Sequence, residues 1–238
     1  MAEPSNVVAL HEPDLLEFFR WPGPSDRTFI VGQNGTGKTQ FAVWLLSHQD
    51  FDKRPWVIID YKREQLFTKL RRMKALRGEL KPSASVPKAP GLYLMRPMQS
   101  DDGDVDDFLW RVWRKGKVGL YFDEGSMPPS GPNSAVAAIL TQGRSLLIPV
   151  IALNQRPVEI DRKFKSEAKY IAMFYLIDRD DRKEMTRYMP IDPDGDFPDF
   201  RPWWYDSSRR NLMLLPKAPD AATLLARIAE RAPRRVWF

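Results

Sequence analysis

The sequence predicts an α/β fold in which a mainly parallel sheet is flanked by helices, with a small hairpin and helix added near the C-terminal end. Three observations predict it. Strand-like and helix-like segments alternate along most of the chain, as expected for parallel strands joined by helical crossovers. A strand, a glycine-rich loop (Gly32-Gln-Asn-Gly-Thr-Gly-Lys-Thr39) and a helix follow one another. Further on, the apolar run Val118–Phe122 ends in two acids, Asp123 and Glu124.

Trp21-Pro22-Gly23-Pro24 reads as a turn into the first core strand, 28–31, a β-branched and aromatic run. Phe41, Trp44 and Leu45 recur at helical spacing and predict a helix over 39–48. Further strands are expected at Trp56–Ile59, Leu92–Met95, Val118–Phe122, Val150–Leu153 and Tyr170–Leu176. Helices are expected at 62–77, 104–114, 133–145 and 179–188, with Asp101, Asp102 and Asp104 favouring the start of the second of these through its dipole. Residues 78–90, rich in Pro, Ser and Lys, read as a surface loop. After Met189 the character changes. An acidic turn-rich stretch from Asp192 leads to a hairpin over 201–215 around Asp206-Ser207-Ser208, with Trp203, Trp204 and Tyr205 on one arm. A last helix is capped by Asp220 and buries Leu224, Leu225 and Ile228; a basic, aromatic tail ends the chain. The expected organisation is an N-terminal extension (1–25), a core (26–190) and a C-terminal hairpin, helix and tail (191–238).

Composition narrows the chemistry. With 43% hydrophobic and 29% charged residues, the 238-residue chain has the make-up of a globular protein with one sizeable core. Cysteine is absent, which excludes disulfides, cysteine zinc sites and thiol nucleophiles. The two histidines, His11 and His48, are too far apart in sequence to suggest a metal cluster. No segment has the roughly 18 apolar residues of a membrane helix, and Glu3 precedes any apolar run, unlike a signal peptide. The net charge of +6 favours polyanionic partners.

The glycine-rich loop is a full match to G-x-x-x-x-G-K-[ST]. Gly32, Gly35 and Gly37 let backbone N–H groups turn inward, so that Gly32, Gln33, Asn34, Gly35, Thr36, Gly37, Lys38 and Thr39 form the nucleotide-binding set. Lys38 is expected on the β- and γ-phosphates of ATP, and the Thr39 hydroxyl on Mg²⁺. Asp123 is expected in the Mg²⁺ shell and Glu124 as general base toward water. Val150-Ile-Ala-Leu-Asn-Gln-Arg-Pro157 is another buried strand with a polar end, where Gln155, or else Asn154, is expected to contact the γ-phosphate or the attacking water. The guanine-reading Asn-Lys-x-Asp motif is missing, which disfavours a GTPase.

These residues resemble the FtsK–HerA superfamily of RecA-like ATPases, most closely the genome-packaging ATPases of tailless, internal-membrane double-stranded DNA phages and viruses. The resemblance rests on Gly32–Thr39, Ile58-Ile59-Asp60-Tyr61-Lys62, Leu120–Glu124, Gly143-Arg144 and Ile148–Pro157, and covers about residues 26–190. It implies a RecA-like sheet with the Gln155 strand between the phosphate-loop and Asp-Glu strands. It also implies double-stranded DNA as the partner, a homo-hexameric ring, docking to capsid vertex proteins, and location in the host cytoplasm during assembly or at the packaging vertex of the virion. An arginine supplied in trans is implied as well, with Arg144 the first candidate and Arg156 and Arg182 open. Two other readings stand beside it: an assembly, conjugation or secretion motor of the same superfamily, and a non-hydrolysing, nucleotide-gated scaffold. The segment after 190 matches no motif of the family, so no role is carried to it.

Two basic runs are candidates for DNA phosphates: Lys62, Arg63, Lys69, Arg71, Arg72, Lys74 and Arg77, and then Arg162, Lys163, Lys165 and Lys169. Such runs commonly form a solvated face instead. The acidic runs at 101–104 and 192–196 lack the glycine position and distant Glu of a calcium loop.

Overall fold

The structure, a computed structural model, describes residues 8–9 and 19–233; His11, most of the N-terminal extension and the last five residues of the tail lie outside the described residues. In chain order the elements are β1 (Val8–Ala9), β2 (Arg27–Val31), α1 (Lys38–Ser47), β3 (Pro55–Ile59), α2 (Gln65–Arg72), β4 (Gly78–Leu80) and β5 (Gly91–Met95). They continue with α3 (Asp102–Lys115), β6 (Gly119–Phe122), α4 (Ala135–Gln142), β7 (Val150–Asn154), α5 (Arg162–Ser166), β8 (Tyr170–Met173), α6 (Arg179–Met185), β9 (Trp203–Asp206), β10 (Asn211–Leu214) and α7 (Ala221–Arg231).

Strands buried on both faces must be apolar almost throughout. β3, β5, β6 and β7 meet this condition, every residue of each being buried. The strands form one sheet in the order β1-β10-β9-β8-β2-β7-β6-β3-β5-β4. From β8 to β4 all neighbours are parallel, and β9 runs against them. The expected α/β architecture is therefore present, with β7 between β2 and β6.

Alternation along the strands divides the core into two layers. Ile30, Ile58, Tyr121, Ile151 and Leu153 face one layer with α1, α2 and α7; Phe29, Val31, Val57, Ile59, Leu120 and Phe122 face the other with α3 and α4. α1 lies under α7, and Phe41 through Ser47 are all buried. The C-terminal hairpin adds to the same sheet, β9 pairing with β8, and Trp204 stacks on Tyr170 at 5.0 Å. The aromatic arm thus packs rather than standing free, Trp204 within one layer of the core and Trp203 and Tyr205 partly buried against the other.

The structure corrects several element boundaries. The helix expected over 62–77 is only Gln65–Arg72, because Arg63 (φ 58°) and Lys74 (φ 57°) adopt left-handed backbone that a right-handed helix cannot contain. Part of the expected 78–90 loop is the edge strand β4, paired with β5. The strand expected to reach Leu176 stops at Met173, and the 133–145 helix shortens to α4, whose N-cap Ser134 accepts a hydrogen bond from Ala137 N–H. The short α5 was not expected; Asp161 caps it by accepting from Lys163 N–H.

His48 gives the fold a pH dependence. Its ring stacks on Trp21 at 3.5 Å, and Arg227 Nη1 lies 2.7 Å from Nε2. Burial, with the Arg227 and Arg231 charges behind it, lowers its pKa from 6.5 to about 4. The folded state thus holds the neutral ring while the unfolded chain takes up a proton below about pH 6.5. The stability from this site is complete above pH 6.5 and is lost as pH falls toward 4. Thermal melts should show that decline, and His48→Gln should flatten it.

Candidate functional site

Because the strands on either side of β2 run parallel, their C-terminal ends share one edge, and the segments that follow converge there. Between β2 and α1 the chain turns with Gly35 at φ 78° and Gly37 at φ 96°, conformations that other residues adopt only with strain. Gly32 is fixed by close approach: a Cβ there would lie 2.5 Å from the Phe174 Cβ. Gln33 N–H donates to the Tyr175 carbonyl at 2.9 Å, which anchors the loop to the end of β8. The Thr36 hydroxyl closes the turn onto the Gln33 carbonyl at 2.7 Å.

Lys38 is buried and donates from Nζ to that same carbonyl at 2.9 Å. Burial, then the Lys62 charge, lowers its pKa to about 8, against the opposing pull of Glu124 and Asp123. A buried ammonium whose hydrogen-bond partner is a neutral carbonyl favours an arriving anion. The loop opens on a cavity of about 470 Å³ lined by Asn34, Gly35, Gly37, Lys38, Thr39, Asp123, Gln155 and Phe200, among others.

Asp123 is fixed beyond β6 by its N–H donating to the Ile59 carbonyl at 3.1 Å. The residue is 2% exposed, and neither carboxylate oxygen has a hydrogen-bond partner among the described residues. Burial, joined by the Glu64 and Asp60 charges, pushes its pKa up to about 8. Two bare oxygens in so dry a place match what a hard dication would satisfy. Glu124 is engaged by contrast: one oxygen pairs with Lys62 Nζ and the other accepts from the Ser126 hydroxyl at 3.2 Å.

The two polar residues after Leu153 part company. Asn154 is fully buried, accepting from Ser126 N–H at 3.2 Å and donating to the Arg156 carbonyl at 2.6 Å, so it ties the end of β7 to the segment after β6. Gln155 is the one that lines the cavity. Two further residues shape the site that sequence reasoning did not single out. Arg96 donates from Nε to Asp60 at 2.8 Å and also reaches the Glu64 carbonyl and Thr68 hydroxyl. Ile59 and Met95 are register partners, so Asp60 and Arg96 leave adjacent strands together, a pairing that only the fold reveals. Phe200 likewise had no signal in the sequence.

Arg144 is not near this cavity. It lies at the opposite end of the sheet, in a second cavity with Arg27 and Lys169, exposed, and its side chain has no hydrogen bond or ion pair among the described residues. Arg156 is held by Asp181 at 2.8 Å and Asp178 at 3.0 Å, and Arg182 by the carbonyls of Leu176, Ile177 and Pro193. The basic runs are likewise partly engaged: Arg71 pairs with Glu79, Lys165 is buried against Glu184, and Lys169 pairs with Asp26.

A left-handed glycine loop between a buried strand and a helix, opposite a buried acid two strands away, defines a P-loop NTPase. No family model matches the chain. Over 219 residues it is 35% identical to the DNA packaging ATPase P9 of Enterobacteria phage PRD1, across 87% of this chain and 94% of that protein. The chain belongs to this family of viral DNA packaging ATPases. Among solved structures, the genome packaging NTPase B204 of Sulfolobus turreted icosahedral virus 2, in complex with AMPPCP, matches with a TM-score of 0.63 at 17% identity, over 82% of this chain and 99% of that one. EssC (ATPases 2 and 3) from Geobacillus thermodenitrificans matches with a TM-score of 0.56 at 14% identity, over 87% of this chain and 43% of that one. Both share its fold. Among the described residues no helix is long and apolar enough to cross a membrane.

Proposed function

We propose that the chain is an ATP-driven motor that moves double-stranded DNA into a preformed capsid. The observation that carries this reading is its kinship with the PRD1 packaging ATPase over nearly that protein's whole length.

In this reading the loop from Gly32 to Thr39 receives the phosphates, and Lys38 exchanges the Gln33 carbonyl for phosphate oxygens. Thr39 and Asp123 would hold Mg²⁺; the bare, buried Asp123 carboxylate fits a hard cation. Bound there, the ion neutralises charge on the phosphate oxygens. Glu124, next to the cavity-lining Asp123, takes the proton of the attacking water on its carboxylate, and Gln155, which lines the cavity, orients that water. Glu124 cannot do this while paired with Lys62, so the pair must loosen for turnover.

Arg144 serves the neighbouring subunit, which calls for a ring, and the family resemblance points to a homo-hexamer. The net charge of +6 suits a polyanionic cargo and gives binding that weakens as salt rises. Docking at a capsid vertex, during assembly in the host cytoplasm, completes the reading. The test is ATP-driven translocation on duplex DNA. Movement is expected; ATP turnover without movement would favour a related motor acting on protein or single strands, and absence of turnover would favour a nucleotide-gated scaffold.

A further inference from the structure

One wall of the nucleotide cavity is not used by the phosphate chemistry. Phe200 stands there with half of its surface exposed and its backbone at φ 60°. Left-handed backbone in a bulky aromatic is a strained choice, and an exposed ring recovers little of that cost through burial. Strain of this kind persists where the surroundings impose it, and it collects at ligand sites. The surroundings do impose it: Arg201 N–H closes the turn onto the Pro198 carbonyl at 3.2 Å, and Arg201 Nε donates to the Leu215 carbonyl at 3.1 Å.

The ring is aimed at the start of α1. A Cβ on Gly37 would lie 3.4 Å from the Phe200 Cδ1. Gln40, one turn into the helix, donates from Nε2 to the Pro219 carbonyl at 2.7 Å, which ties the C-terminal segment to the same spot. Lys217 Nζ lies 5.0 Å from the Phe200 ring centroid. Phosphates seated on the loop would leave the nucleoside end to extend past this first turn, where Phe200 offers an open aromatic surface and Lys217 a cation.

We propose that Phe200 is the platform on which the base of the bound nucleotide stacks, with Lys217 alongside, so that residues 198–219 complete the nucleotide site. This rests on the reading of the cavity as an ATP site. It gives the segment after residue 190 a function that no motif supplied. The recognition is of a flat π-face, which favours purines without strong selection among them.

The experiment is calorimetric binding of ATP and of inorganic tripolyphosphate, each with Mg²⁺, to wild type, Phe200→Ala, Phe200→Gly and Phe200→Trp. Ala and Gly should weaken ATP by about tenfold or more while leaving tripolyphosphate unchanged, and Trp should keep ATP binding. Phe200→Gly relieves the left-handed strain, so its melting temperature should equal or exceed that of wild type; its loss of ATP affinity then has no unfolding explanation. Unchanged ATP affinity in Ala and Gly overturns the proposal, as does a parallel loss of tripolyphosphate. A wild type that binds neither ligand overturns the cavity reading itself.

Discussion

Lys38→Ala should abolish ATP binding and turnover together, whereas Glu124→Gln should abolish turnover and keep binding. The split follows from where the two side chains sit. Lys38 is a buried cation on the loop with a carbonyl for its hydrogen-bond partner, and its removal takes away the charge that phosphate would meet. Glu124 is bound to Lys62 and Ser126 rather than to the loop, and its proposed part in the reaction is to accept a proton. Loss of a positioned general base costs on the order of 10²–10⁴ in rate. Gln keeps the shape and the Ser126 contact but cannot take the proton. Lys62 is partly exposed, so it rehydrates when Glu124 is neutralised, and stability should change little. Steady-state turnover and equilibrium nucleotide binding on the same preparations separate the two variants; turnover that survives both contradicts the assignment of this cavity.

Arg144→Ala should lower turnover of the assembled ring by on the order of 10³–10⁵ while nucleotide binding persists, as expected when an arginine that stabilises transition-state charge is lost. Geometry keeps it from the cavity of its own subunit, so the proposed action is on a neighbour's. Arg27 and Val150 are register partners at the edge where Arg144 lies, and the loop begins beyond Val31. Five strand residues, about 16 Å, separate those edges, more than a guanidinium on its stem can bridge. Arg156 and Arg182 are already bound within their own subunit, whereas the Arg144 guanidinium has no hydrogen bond or ion pair among the described residues. Mixing resolves the point. Rings that combine Arg144→Ala subunits with Lys38→Ala subunits contain interfaces where an intact site meets an intact arginine, so turnover should reappear on mixing two inactive preparations. No recovery would mean that Arg144 does not act across the interface.

The parts of this account that were legible in the sequence are those written in contiguous residues. The loop carries its own glycines, lysine and threonine, and β6 carries its apolar run and its acids together. The strand order was legible only through resemblance, because adjacency of β2, β7 and β6 is made by contacts between distant segments. The short α2 was not legible: periodicity extends over 62–77, and nothing in Arg63 or Lys74 announces left-handed backbone. Charge runs were legible as a face, but their individual partners were not. Lys62 and Arg71 look like one basic face, yet Lys62 belongs to Glu124 and Arg71 to Glu79. Phe200 was hidden most completely, since a single aromatic in an acidic, proline-rich turn acquires meaning only when the hairpin joins the sheet and brings it over Gly37.

The central claim is that hydrolysis at this cavity moves duplex DNA. It is tested most directly by displacement of a labelled triplex-forming strand from a long duplex by the assembled protein. ATP with Mg²⁺ should displace the strand at a rate that grows shorter in lag as the strand is placed nearer the duplex end, and AMPPCP or the Glu124→Gln protein should leave it in place. Vigorous ATP turnover on the same duplex with no displacement would contradict the claim.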